Sequence, residues 1–442
     1  MKKKYVRWTL WTIASPFILF IILCILIYLP PIQNFLVDKA AVYASEATGM
    51  NISVGRISLS FPLNLVVTNV DAASLHNDTL LSVRRLQVNV QLLPLLKKQV
   101  EVDGISLQGA TVNSNDLIHG MKLNGTLGEL FISSHGVALD PETAIVNKVL
   151  LKDTDLSLCL NDTAAADTAA SDTTYWKIIL QDIDLQNVSF ALDMPLDSLS
   201  LAASLDNAIL RDGLIDLHKS AYSLQTFRIE NGRVRYDNGK PLAADSLSSG
   251  LDPSHIALTD IGVKLDSLYY GGRNMKAIIS QFVLKERSGV EIVSATGRMV
   301  SNDKVLRVPS LKLETRDSYL ELNAAMDWNA LDFKGEGLMS ARLMADIGKP
   351  DVVRFMGRMD EKFVRQYPSE PLRIRTGIDG DLNKLKLTTL TAELPGALGL
   401  FARGELTHLT DSLLRGGDIT LEAETKDLKF VSTLAEGIEI PY

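Results

Sequence analysis

Leu86-Gln87-Val88-Asn89-Val90-Gln91-Leu92 sets apolar and amide side chains in strict alternation. Successive side chains of an extended strand point to opposite faces, so this segment has one apolar face and one wet face. A period of two does not suit a helix, and the pattern recurs along the chain. Phe227-Arg228-Ile229-Glu230 and Val234-Arg235-Tyr236 repeat it with charges on the wet face. Leu311-Lys312-Leu313-Glu314, Leu320-Glu321-Leu322-Asn323 and Ile419-Thr420-Leu421-Glu422-Ala423-Glu424 do the same. Turn signals lie between such runs, at Asn231-Gly232, Asp237-Asn238-Gly239, Gly271-Gly272 and Gly416-Gly417-Asp418. Many alternating strands separated by turns specify a mostly β, antiparallel fold.

Helix is confined to a few places. Ile32, Phe35, Leu36, Lys39, Tyr43 and Ala47 trace a short amphipathic helix over 30–49, with Gly49 as its C-terminal cap. Val352, Met356, Met359, Phe363 and Tyr367 predict a second, from about Asp351 to Tyr367, ended by Pro368.

A repeat runs through the strands. Ile105-x-Leu107-x-Gly109-x-x-Val112 is matched by Val149-x-Leu151-x-Asp153-x-x-Leu156, Ile183-x-Leu185-x-Asn187-x-x-Phe190 and Phe227-x-Ile229-x-Asn231-x-x-Val234. Leu65-x-Val67-x-Asn69-x-x-Ala72 is a weaker fifth copy. The central Asn, Gly or Asp tolerates the left-handed conformation, which predicts a bend or bulge between two strand halves. Any β-protein has turns by chance, but here the offsets around the turn residue are held. Asn161 to Thr174 breaks the pattern. It is low-complexity Ala, Asp and Thr, and reads as a disordered loop over 161–174.

The chain has 442 residues, 46% of them hydrophobic and 22% charged, with a net charge of −8. Single cores stop growing near ~250–300 residues, so this length implies several domains or one elongated repeat structure. The first thirty residues hold basic residues and no acid, so the remainder is more acidic still. Binding nucleic acid needs a basic footprint, which an acidic body lacks.

Trp8 to Leu29 is a run of 22 uncharged residues. As a helix it measures about 33 Å, enough to cross a bilayer core. It predicts a transmembrane anchor over 8–29, with Trp8, Trp11, Phe17, Phe20 and Tyr28 among its bulky side chains. Lys2, Lys3, Lys4 and Arg7 form a basic tail over 1–7 and place the N-terminus in the cytoplasm, with 50–442 on the far side of the membrane. The competing reading is a cleaved signal peptide. That needs a shorter apolar run and a small-residue site close behind it, whereas Pro30-Pro31 follows here.

Motifs that carry chemistry are lacking. The six histidines, His76, His119, His135, His218, His255 and His408, are scattered with no metal-ligand spacing. There is no nucleophile elbow, no phosphate-binding loop and no dinucleotide fingerprint. Cys24 and Cys159 form no CxxC pair, and Cys24 lies inside the apolar run. The sequence therefore points away from an enzyme and calls for no cofactor or metal.

What remains is the apolar face. A sandwich hides such faces between two sheets. A single curled sheet leaves its face open, and an open apolar surface of that size needs an apolar ligand. In a cell envelope the abundant one is the acyl chain of a lipid. Leu86, Val88, Val90, Leu92, Phe227, Ile229, Val234 and Tyr236 are the candidate lining residues.

The order of elements resembles a known family. Basic residues, an N-terminal anchor and a Pro-preceded amphipathic helix lead into GMNISVGRISLSFPLNLVVTNV, Gly49 to Val70. LLSVRRLQVNVQLLPLLKKQVEVDGISLQGATV follows, Leu80 to Val112. This is similar to the start of AsmA-like proteins, and within that group to the TamB-like proteins of Gram-negative envelopes. The resemblance is specific over about 30–112 and a matter of pattern beyond. It implies a bacterial inner-membrane anchor, a long taco-like periplasmic β-sheet, and a hydrophobic groove that conducts phospholipid towards the outer membrane. It also implies an alternative role, as scaffold or chaperone for outer-membrane protein insertion or secretion with a TamA-like barrel partner. TamB-like chains are usually much longer, so the resemblance marks this sequence as an N-terminal portion.

Overall fold

The computed structural model describes residues 39, 41–42, 45–46, 48–60, 64–74, 79–91, 102–114, 120–138, 142–161, 175–239, 250–331, 337–356 and 361–435. The expected basic tail, the anchor with its named residues, Leu92 and the loop over 162–174 lie outside them. Among the described residues no helix is long and apolar enough to cross a membrane. Of the amphipathic helix, Lys39, Ala41, Val42, Ser45, Glu46 and Thr48 are described and helical. Gly49 ends it in the left-handed conformation, φ 69°, with its N–H donating to the Ser45 carbonyl at 2.9 Å.

The fold is mostly β, and its twenty strands belong to one antiparallel sheet. The chain divides into two units, Met1–Ala170 with Gln186–Asp193, and Ser171–Leu185 with Met194–Tyr442. The first holds β1 (Asn51–Ser60), β2 (Asn64–Ala73), β3 (Thr79–Val90), β4 (Val102–Asn113), β5 (Met121–Ala138) and β6 (Thr143–Leu160). Each pairs antiparallel with the next. The residues of β7 (Lys177–Met194) are divided between the units.

The second unit begins with β8 (Leu199–Asp216), β9 (Ala221–Leu224), β10 (Thr226–Asp237) and β11 (His255–Gly271). The short β9 and the longer β10 share one rung of the ladder, both lying between β8 and β11. The up-and-down order continues through β12 (Asn274–Glu286), β13 (Glu291–Ser301), β14 (Val305–Thr315), β15 (Tyr319–Asp327) and β16 (Met339–Ile347). It closes with β17 (Leu372–Gly380), β18 (Lys384–Leu394), β19 (Leu398–Thr407) and β20 (Gly416–Thr425).

The expected helix from Asp351 to Tyr367 is described as two pieces, α1 (Lys349–Met356) and α2 (Glu361–Gln366). Pro368 follows as anticipated. A third, α3 (Leu428–Ala435), brings Phe430 against Tyr367, Leu394 and Ala397. Phe430 is 1% exposed, and its ring lies 5.6 Å from Phe363 and 5.7 Å from Tyr367. This is the one cluster of buried apolar side chains among the described residues.

Asn231-Gly232 is not a hairpin turn. It lies inside β10 as a bulge, where the pairing with β11 shifts register. Gly416-Gly417-Asp418 likewise opens β20 rather than separating strands. For Asn231 the reason is the repeat itself. Asn69, Gly109, Asp153, Asn187 and Asn231 all have left-handed φ, between 49° and 61°. Two further copies, Ala208-x-Leu210-x-Asp212-x-x-Ile215 and Ile256-x-Leu258-x-Asp260-x-x-Val263, share it, with φ of 51° and 52° at their aspartates.

In the first unit the interruptions of the ladder align, with the register unchanged across each. The ladder skips Gly55 opposite Asn69, then Arg84, Gly109, Gly128 and Asp153 on successive strands, so a crease crosses β1 to β6. Gly128 is small for a reason: a Cβ there would stand 2.7 Å from the Asp153 Cβ.

Candidate functional site

Residues paired across an antiparallel ladder share a face, so the register shows which side chains form continuous rows. In the first unit Leu86 stands in the row Ile57, Val67, Leu86, Leu107, Leu130 and Leu151. Val88 stands in the adjoining row Leu59, Leu65, Val88, Ile105, Ile132 and Val149. All twelve are aliphatic, and all are only half-buried. The row between them lies on the opposite face and is mixed, with Ser58, Gln87 and Ser106 polar and Val66, Phe131 and Leu150 apolar.

The second unit repeats this over more strands. Ile229 belongs to a row running Ala208, Ile229, Val263, Phe282, Ala295, Leu313, Leu320, Ala345, Ile374, Ala392, Leu400 and Ala423. No polar residue interrupts it. Phe227 belongs to the neighbouring row from Leu210 through Leu265 and Ile279 to Leu421, broken only by Gly297 and Thr376. The buried members of the two rows are Ala208, Ala295, Ala345 and Ala402, whereas the large side chains are half-buried or exposed.

Val234 and Tyr236 lie beyond the bulge of β10. Val234 is opposite Ala203 and Leu258, and Tyr236 opposite Leu201 and Ile256. Val90 pairs with Val102 after a register shift, which sets it apart from the two rows through Leu86 and Val88. The register therefore unites Leu86 with Val88, and Phe227 with Ile229. It adds Val263, Phe282, Leu313 and Leu320, which the alternation signals but which no single strand places in a row.

Burial explains why these rows form a candidate site and not a core. A covered core residue is nearly inaccessible, and interiors pack to crystal-like density. Among the described residues, strands contact mainly their ladder neighbours, and α1, α2 and α3 gather at the Phe430 cluster. Among the described residues no second layer of strands or helices contacts the rows.

The opposite face is built for water. Lys285 pairs with Asp260 at 2.8 Å, Arg375 with Asp346 at 2.7 Å and Lys384 with Glu405 at 3.0 Å. The Tyr319 hydroxyl donates to Glu321 at 2.8 Å, and that hydrogen bond to a carboxylate raises the phenol above its ordinary value. Among the described residues no group of His, Cys, Asp and Glu is arranged to hold a metal ion. No protein-family model matches this chain, and no curated protein matches it at a significant level.

Proposed function

We propose that this chain is an AsmA-like, TamB-like envelope protein, anchored in the bacterial inner membrane by residues 8–29, that conducts phospholipid between membranes without enzymatic chemistry. The observation that carries the reading is the pair of rows in each unit, apolar from strand to strand but for Gly297 and Thr376, with their large side chains left half-exposed. Monomers in water rarely expose contiguous apolar patches beyond a few hundred Å². An acyl chain satisfies such a strip: it needs no directional partner, and a continuous row lets it slide without crossing a polar barrier. In this reading the repeated creases curl the sheet around the lipid, and the polar face meets the aqueous periplasm.

The test is photo-crosslinking in the full chain, expressed in a Gram-negative envelope. Probes at positions 88 and 229 are expected to yield phospholipid adducts by mass spectrometry, and probes at 87 and 228 are not. Equal labelling at all four positions, or none at 88 and 229, overturns the conduit and leaves a scaffold for outer-membrane protein insertion as the better reading.

A further inference from the structure

The wet face of the second unit has a hollow where two register shifts lie side by side. The pairing of β13 with β14 slips between Arg298 and Val300, and that of β14 with β15 slips between Val308 and Leu311. Pro309 stands in the second slip. It has no N–H to give a ladder, and a bulge is where a strand tolerates it. The cavity there measures about 260 Å³ and is lined by Arg307, Pro309, Asn323, Ala325, Ser340 and Arg342.

The ladder explains this grouping. Arg307, Ala325 and Ser340 stand opposite one another in one row, and Asn323 stands opposite Arg342 in the next. Strands lie about 4.8 Å apart and alternate residues about 6.6 Å, which sets the backbones of Arg307 and Arg342 about 12 Å apart. Both long side chains can therefore reach a group held over the small floor of Asn323, Ala325 and Ser340. Arg298 stands on the same face at the edge of the hollow, opposite Ser310.

All three arginines are exposed, and none makes an ion pair or hydrogen bond with another described residue. The Asn323 amide and the Ser340 hydroxyl are likewise uncommitted among the described residues. The acids that flank the hollow on β15 and β17 are Glu321, Asp327 and Asp379. Glu321 stands opposite Lys312 and accepts from the Tyr319 hydroxyl at 2.8 Å. Asp327 accepts from the Leu338 amide at 3.0 Å, and Asp379 stands opposite Lys386. The neighbouring Arg375 pairs instead with Asp346 at 2.7 Å. The hollow thus keeps an excess of positive charge and a set of unused donors.

We propose that this hollow is a binding site for a phosphate group, carried free or on a lipid headgroup. Each guanidinium presents a fork of donors that matches two phosphate oxygens, and several forks suit a group with more oxygens than a carboxylate has. Asn323 and Ser340 add neutral donors from the floor. The site lies on the face opposite the apolar rows, so it stands or falls independently of the conduit.

The experiment uses the full chain in non-ionic detergent micelles and follows modification of individual arginines by phenylglyoxal with mass spectrometry. The probes are inorganic phosphate, a short-chain phosphatidic acid, and sodium chloride at matched ionic strength. Saturating phosphate or phosphatidic acid is expected to slow modification of Arg307 and Arg342 about ten-fold and to leave the exposed Arg228 and Arg373 unchanged. Protection by inorganic phosphate assigns the site to the phosphate group whatever carries it, and protection by phosphatidic acid alone assigns it to a headgroup; either result upholds the proposal. In the variant Arg342→Gln, altered at an exposed side chain, protection of Arg307 is expected to fall below about two-fold. Equal protection by chloride, no protection by either phosphate probe, equal protection of Arg228 and Arg373, or full protection of Arg307 in the variant each overturns it.

Discussion

The Asn187 side-chain amide donates to the Asp153 carboxylate across 3.0 Å, joining the central residues of two copies of the repeat. Both residues have left-handed φ, 51° and 49°. Asn231 makes a similar bond to a strand neighbour, donating to Asp206 of β8. The residue type serves twice, once for its backbone and once for this bond.

That dual use separates two substitutions at Asn231. Asn231→Gly keeps the backbone and loses the bond, so a cost of about 1 kcal/mol is expected. Asn231→Val adds the penalty of a β-branched residue at positive φ, for a total of roughly 2–4 kcal/mol. Urea midpoints measure the two. Equal costs would mean that the φ of 53° carries no strain.

The half-open rows make an unusual demand on a charge. Ile229→Asp in a covered core would bury an unpaired carboxylate and cost several kcal/mol. Here the site keeps access to solvent, so a loss of ~1–2 kcal/mol and a folded sheet by circular dichroism are expected, together with loss of lipid adducts. Phe430→Ala is the contrasting case. It empties a sealed site and should cost ~3–5 kcal/mol.

Asp351 is 1% exposed and ties α1 to the turn between β14 and β15. It accepts hydrogen bonds from Ser318 at 2.6 Å and from Thr315, and pairs with Arg354 at 3.0 Å. Asp351→Ala removes a shared acceptor from three donors, of which the Ser318 hydroxyl has no other acceptor among the described residues. The expected loss is about 3 kcal/mol, the lower end for breaking a buried pair, because Arg354 keeps Asp317 at 2.8 Å and some water. Thermal unfolding reads this directly, and a loss below 1 kcal/mol would show that α1 is held by other contacts.

The acid response has a local origin at Asp252. The His255 ring nitrogen lies 2.8 Å from its carboxylate, and the Ser254 amide donates at 2.9 Å. These two bonds, the histidine first, hold the carboxyl below its ordinary range. A depressed folded value contributes stability above the unfolded carboxylate range near ~pH 4, lost as pH falls through the folded value. Asp252→Asn is therefore expected to be less stable by about 1 kcal/mol at pH 7, with the deficit closing in strong acid. A deficit unchanged at pH 2 would contradict this assignment.

The strands were legible because alternation is a local property. Five of the six alternating segments fall whole in strands and the first does so over Leu86 to Val90, and the five bend residues adopt the conformation that their chemistry favours. Asp260 sits in the same spacing, between Leu258 and Val263, so the repeat extends further than those five copies. The rows themselves were not legible. Whether Ile229 meets Val263 depends on where each bulge skips a residue, and a shift of one residue exchanges the faces. Val90 shows the effect, since the shift after Asn89 separates it from Val88. Asn231-Gly232 failed as a turn signal because an Asn-Gly pair suits a bulge as readily as a hairpin.

The ladder pairs each rung almost entirely with its predecessor and successor in the chain. Information for building it is therefore nearly all short-range, and assembly can propagate hairpin by hairpin from any nucleus. It also makes rung number a free evolutionary variable with a parity rule. Excising two adjacent strands rejoins their neighbours with direction and faces intact. Excising one reverses the direction of everything downstream, so viable lengths should differ by whole hairpins.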